Sequence, residues 1–236
     1  MQKLNSSEIK QILLGVLLSD GYVDRSGRFQ ISQVKQEYAT YVRDVMLQIT
    51  GVTVWEQYKD GALLVHSRTH PYFKSLKNLC YHDRKYLCHS TVKKITLLSL
   101  ANMWMCDGYL EHPKNRVANK VQNIGWFCLE SFPKEELTIL IDHIHRRYGC
   151  LFRLAKKPWG FGYRLKISGL HLQRFISLIY QHILPCFEYK TWLYYKSAQY
   201  VDMTLPSAEQ YCLQYSNVED IVQKRNNHFP PMEPVS

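Results

Sequence analysis

The chain has 236 residues, 46% of them hydrophobic, and a formal net charge of +10. That composition excludes a disordered polymer, and the length suits one large domain or two small ones with real cores. The longest nearly apolar run, residues 95–106, is too short to span a bilayer, and the N-terminus MQKLNSSEIK lacks an apolar signal core; the expectation is a soluble, intracellular protein whose basic excess suits a polyanion.

In chain order, Ser6 or Ser7 is expected to cap a helix running to Ser19, with Glu8 in its first turn. Gly21 is expected to end that helix by taking positive φ. A hairpin follows, with strands over residues 22–25 and 28–34 around Ser26-Gly27. Residues 37–50 read as an amphipathic helix, and residues 52–59 and 62–68 as a second hairpin around Asp60-Gly61. Pro71 opens a further helix to about Tyr81.

The same order then recurs. A helix is predicted over residues 92–106, strands over 109–111 and 120–129, and a helix from Pro133 to Tyr148. Strands over 150–156 and 162–167 flank Pro158-Trp159-Gly160, and a helix over 170–183 ends before Pro185. Each half reads αββαββα, with boundaries expected at residues 1–90 and 91–200. A tail over 201–236 is expected to hold one helix, at 207–224, before a Pro-rich end.

The repeat has a fixed offset. Leu-Leu-Gly-Val-Leu-Leu-Ser-Asp-Gly-Tyr at 13–22 matches Leu-Ala-Asn-Met-Trp-Met-Cys-Asp-Gly-Tyr at 100–109, and 107 − 20 = 87. Small or compact residues stand one turn apart in each copy, Gly15 and Ser19, then Asn102 and Cys106. Such a face permits close approach of two helices. Packed in parallel, the helices would bring Asp20 and Asp107 together at their C-termini, where the dipole and mutual repulsion both disfavour carboxylates. A divalent cation relieves that cost, and hard oxygen donors suit magnesium, with manganese able to substitute.

Seven cysteines, at 80, 88, 106, 128, 150, 186 and 212, form no C-x-x-C pair and read as reduced thiols. Cys80, His82, Cys88 and His89 match no common zinc spacing, and His143 and His145 read as helix-surface residues. Phosphate-binding loops and the nucleophile elbow are absent, which argues against a small-molecule substrate.

The two Asp-Gly helices resemble the motif of the LAGLIDADG homing endonucleases. The similarity covers roughly residues 8–195 and is greatest to single-chain members, through Ser131-Phe132-Pro133-Lys134-Glu135-Glu136 and Ile183-Leu184-Pro185-Cys186-Phe187-Glu188-Tyr189-Lys190. The resemblance implies an α+β fold of two pseudo-symmetric halves, a saddle whose two antiparallel sheets straddle DNA. It implies a monomer that hydrolyses both strands of a long asymmetric DNA site, in a microbial, phage or organellar genome. Direct metal ligands are then expected at Asp20 and Asp107, with the Ser19 and Cys106 carbonyls as further donors. Lys85 and Lys190 are expected beside one scissile phosphate each, with Gln33, and Glu130 as its counterpart, ordering water. Asn102 and the bulky Trp104-Met105 depart from the usual motif and put the exact helix packing in question. An intron maturase of the same fold is the alternative. A non-catalytic DNA-binding regulator would be expected to have lost an acid, and this chain keeps both.

Period-two alternation agrees with groove binding by sheets. Arg28, Gln30 and Ser32 oppose Phe29 and Ile31, while Arg164 and Lys166 oppose Tyr163, Leu165 and Ile167. Thr53, Trp55, Gln57 and Lys59 form another polar row. A β-ribbon fits the major groove, so these residues, with Lys35, His66, Arg68 and Arg153, are the expected DNA contacts. Lys114, Arg116 and Lys120 lie in a basic loop expected to meet phosphates. The segment 120–129 alternates too poorly to assign a face.

Overall fold

The computed structural model describes residues 3–111, 123–157 and 160–193. The expected tail and the basic loop with Lys114, Arg116 and Lys120 lie outside them. In chain order the elements are α1 (Ser6–Leu18), β1 (Tyr22–Val23), β2 (Phe29–Gln33), α2 (Gln36–Leu47), β3 (Val54–Lys59), β4 (Ala62–Ser67) and α3 (Pro71–Cys80). The second half comprises α4 (His89–Val92), α5 (Leu97–Asp107), β5 (Gly108–Glu111), β6 (Ile124–Phe127), α6 (Lys134–Tyr148), β7 (Arg153–Lys156), β8 (Tyr163–Ser168) and α7 (Gly169–Ile179). Two 3-10 turns, Tyr180–His182 and Pro185–Thr191, follow. Among the described residues no helix is long and apolar enough to cross a membrane.

The strands form two antiparallel four-stranded sheets, ordered β1-β2-β4-β3 and β5-β6-β8-β7. The expected α+β architecture of two similar halves is therefore present, each half with its own sheet. Phe29, Ile31 and Val65 turn one face of the first sheet into the core, as Phe127, Leu165 and Ile167 do in the second. Asp60 at φ 51 and Gly61 at φ 77 make the tight β3–β4 turn that Asp-Gly favours.

Local chemistry moves several expected boundaries. Asn5, rather than Ser6 or Ser7, caps α1: its Oδ1 accepts from the Ser7 and Glu8 amides at 2.9 and 3.0 Å, and Glu8 Oε2 accepts from the Asn5 amide at 2.8 Å. That is a complete capping box. The helix predicted over 92–106 is broken. Only Val92 of it falls in a helix before Thr96, as the end of the separate α4, and α5 starts only after Thr96, a better N-cap than any residue between them. Gly21 does not take positive φ. Its amide donates to the Val16 carbonyl at 2.7 Å, and a Cβ there would lie 2.8 Å from that oxygen. Gly108 is likewise required by contact, since a Cβ would run into the Trp104 ring.

Helices α1 and α5 pack in parallel, because their contacts advance together. Gln11 Oε1 accepts from Thr96 Oγ1 at 3.1 Å and from Ser99 Oγ at 2.5 Å. One turn on, Gly15 lies so close to the Ser99 carbonyl that any Cβ would collide with it. Asn102 is fully buried, and its side chain is satisfied: Nδ2 donates to the Leu98 carbonyl at 2.8 Å, and Oδ1 accepts from Tyr38 Oη at 3.2 Å. The polar departure from the motif is thus accommodated by a tyrosine from α2, and close packing survives at Gly15.

Candidate functional site

Ending both helices at the same level sets the site. Asp20 stands just beyond the Ser19 C-cap of α1 and Asp107 ends α5, and the two interact electrostatically. Asp107 is the more enclosed. Burial, first, and the charge of Asp20, second, push its carboxyl up to about 7, while Lys85 and Lys190 oppose the rise.

Each acid has a lysine beside it. Lys85 Nζ donates to the Ser19 carbonyl at 2.5 Å. Lys190 Nζ donates to the Met105 carbonyl at 2.6 Å and the Cys106 carbonyl at 3.2 Å. Both cations cap the negative end of an acid-bearing helix. Burial lowers the pKa of each lysine, and Asp20 and Asp107 oppose that fall. Lys85 reaches the site from a tight reversal after α3, closed by the Tyr81–Lys85 bridge and by the Tyr86 amide on the Cys80 carbonyl at 2.9 Å. Lys190 lies in the last 3-10 turn, where its carbonyl accepts from Trp104 Nε1 at 3.0 Å.

Beyond the lysines the halves diverge. Gln33 Nε2 donates to Asp20 Oδ2 at 2.5 Å. Glu130 instead accepts from Arg164 Nε, and Lys157 Nζ lies 3.9 Å from it. Gln30 and Trp126 occupy equivalent rungs of the two sheets, so three residues on Gln33 corresponds to Leu129, a buried core residue. Among the described residues no side chain donates a hydrogen bond to the Asp107 carboxylate. Beneath the acids, Cys106 Sγ contacts Tyr38 Oη at 3.4 Å, and burial pushes this thiol up to about 12.

The donor set fits a hard divalent cation. It offers two carboxylates and two carbonyls, each carbonyl with a second lone pair beyond its lysine bond. Asp107 carries an electrostatic cost from Asp20 that a cation would remove. Among the described residues no cluster of three or more His, Cys, Asp or Glu side chains could hold a metal. Such a cation would therefore complete its sphere with water or phosphate, as magnesium commonly does. The six described cysteines are free, and Cys80, His82, Cys88 and His89 form no metal cluster.

The open sheet faces carry most of the other sequence-selected residues. In the first sheet Tyr22, Gln30, His66 and Trp55 stand in one row, with Ser32, Leu64 and Gln57 in the next and Lys59 opposite Ala62. In the second, the matching row is Tyr109, Trp126, Lys166 and Arg153. Arg68 stacks 5.6 Å over Trp55, and Lys166 5.4 Å over Trp126. Three placements differ from expectation. Arg28 precedes β2 and is tied to Asp24 at 2.6 Å, because the turn leaves that carboxylate facing it. Lys35, expected only as a DNA contact, is the N-cap residue of α2 with its ammonium 5.7 Å over the Tyr189 ring. Arg164 is on the second sheet but is neutralised by Glu130.

Tyr22, Tyr109 and Trp126 were not singled out from the sequence. The repeat carried a signal for the tyrosines, since both directly follow Asp-Gly. Trp126 was hidden because Gly125 breaks the alternation: it sits on the core side, where a Cβ would lie 2.8 Å from Leu172 Cδ1.

Two matched sheets joined through paired Asp-Gly helices define a LAGLIDADG-type protein. The chain belongs to the LAGLIDADG DNA endonuclease family, which matches residues 10–175. The homing endonuclease I-WcaI, bound to its DNA recognition sequence, shares the fold with a TM-score of 0.67 at 20% identity, over 79% of this chain and 86% of that one. The meganuclease I-SmaMI, bound to uncleaveable DNA, has a TM-score of 0.56 at 8% identity, over 96% of each chain. No curated protein matches the sequence significantly.

Proposed function

We propose that the protein is a metal-dependent, site-specific homing endonuclease that cuts both strands of an asymmetric DNA duplex as a monomer. The observation that carries this reading is the matched pair of sites, each with an acid ending a motif helix and a lysine on that helix's terminal carbonyls. Asp20 and Asp107, with the Ser19 and Cys106 carbonyls, would hold magnesium or manganese. The ion would supply charge stabilisation at the phosphate and a more acidic bound water. The chain's own groups do the rest. Lys85 and Lys190 place one positive charge each where negative charge grows in the transition state. Gln33 orients Asp20 through its amide. The sheet rows present Gln30, His66, Trp55, Lys166 and Arg153 together on open faces, which suits base-edge and phosphate contacts in a groove.

The test is cleavage of a plasmid library in magnesium or manganese, with the product ends sequenced. Asp20→Asn and Asp107→Asn are each expected to abolish double-strand cleavage while the variants remain folded and bind DNA. Wild-type cutting by both variants would remove the metal assignment. A stable dimer by light scattering would remove the single-chain pairing.

A further inference from the structure

We propose that Glu136, on α6 of the second half, is the positioning residue for Lys85 of the first. This rests on the reading of Lys85 given above. Lys85 lies on a short reversal with no helix or sheet of its own to fix it. The carboxylate of Glu136 grips that reversal from both sides of Lys85. Oε1 accepts from Arg84 Nη2 at 2.6 Å, and Oε2 accepts from the Leu87 amide at 2.8 Å and, at 3.5 Å, from Arg84 Nη1. The same Arg84 Nη1 donates to the Lys85 carbonyl at 2.6 Å. The Arg84 side chain before the lysine, which also holds the lysine's own carbonyl, and the Leu87 amide after it are therefore tied to one carboxylate.

The carboxylate is itself well fixed. Glu136 stands in the first turn of α6, where the helix dipole favours an anion, and its side chain is only 17% exposed. Charge-assisted bonds of this length are strong and directional. Lys190 is held differently. Its peptide is held within its own half by the Trp104 indole. The Lys85 reversal is thus bonded to a carboxylate of the opposite half, whereas the Lys190 carbonyl takes its hydrogen bond from its own half. Loss of Glu136 should disturb only the strand that Lys85 serves, because misplacing a charge by about an ångström can cost roughly a hundredfold in rate.

The experiment is single-turnover cleavage of a duplex site with each strand labelled separately, at saturating protein. Lys85→Met identifies the strand that depends on Lys85. Glu136→Ala is expected to slow that same strand at least tenfold, to leave the other within about twofold, and to leave DNA affinity unchanged. Glu136→Gln keeps an acceptor for the Leu87 amide and should recover part of the rate. Glu135→Ala, one residue away and exposed, should match the wild type in both strands. Equal slowing of both strands by Glu136→Ala and Glu136→Gln, or no slowing by either, would overturn the assignment. A strand bias in the Glu136 variants with none in Lys85→Met would overturn it too, by showing a route that bypasses the lysine. Absence of bias in all of them would overturn the role of Lys85 itself. Should Glu136→Ala fail to fold, Glu136→Gln and Arg84→Met carry the same strand comparison.

Discussion

The two halves share a fold but not a site chemistry. Asp20 is exposed and takes a hydrogen bond from Gln33, whereas Asp107 is more enclosed and has no such donor among the described residues. In the first half a neutral amide addresses the acid. In the second, Glu130 is neutralised by Arg164. The lesson is that duplication preserves what the helix interface demands and frees what it does not. Gly15 against Ser99, and a lysine on each set of helix-end carbonyls, are imposed by packing and by the dipole. The Gln33 position and the sheet rows are under no such constraint, and they differ between the halves.

The largest expected effect tests how independent the halves are. On the proposed reading each lysine serves one strand. Lys85→Met and Lys190→Met should each accumulate nicked plasmid, in opposite strands, with rate losses of roughly tenfold to a thousandfold. Affinity should hardly change, since one phosphate contact is a small share of binding. Identical slowing of both strands by both variants would show that the two lysines act on shared structure.

That symmetry was open to reading from the sequence, and its breakdown was not. The 87-residue offset, 107 − 20, exposes both acids, the glycines after them and the order of elements. It does so because close helix packing constrains residue type at fixed spacing. The offset fails beyond β5, where the connection to β6 is longer, so Gln33 at a strand end has no countable partner in the second half. The break before α5 also escaped, because Thr96 caps from inside an otherwise apolar run. Nothing in the sequence marks Arg84: its partner Glu136 is 52 residues away, and no local pattern links them.

A smaller effect concerns Asp107 in metal-free protein. Its folded pKa, about 7, lies above the ordinary 3.8, so the folded state keeps a proton that the unfolded state has lost. Stability from this group is therefore present below about pH 4 and is lost as pH rises to about 7. Asp107→Asn removes the penalty. Denaturant unfolding in chelator should show the variant more stable at pH 8, by up to about 4 kcal/mol, and no more stable at pH 4. Equal stabilities at both pH values would mean that the acids do not burden one another, and the comparison with the exposed Asp20 would lose its electrostatic basis.

The smallest effect lies on the sheet faces, where the halves differ in charge. The row Tyr22, Gln30, His66, Trp55 contains no lysine or arginine, while the row Tyr109, Trp126, Lys166, Arg153 contains two. If both rows meet DNA, they should do so differently. Side-chain amides and imidazoles select base edges without releasing counterions, whereas each phosphate neutralised lowers the salt slope by about 0.9. Gln30→Ala and His66→Ala are expected to relax preference at one or two base pairs of one half-site, by about 1–3 kcal/mol each, with the salt slope unchanged. Lys166→Met with Arg153→Met should flatten the slope by up to about 2. Binding to a half-site library across a salt series separates the two. The roles would be reversed if the first pair changed the slope and the second changed only base preference. The groove assignment of these rows would fall if neither pair altered binding at all.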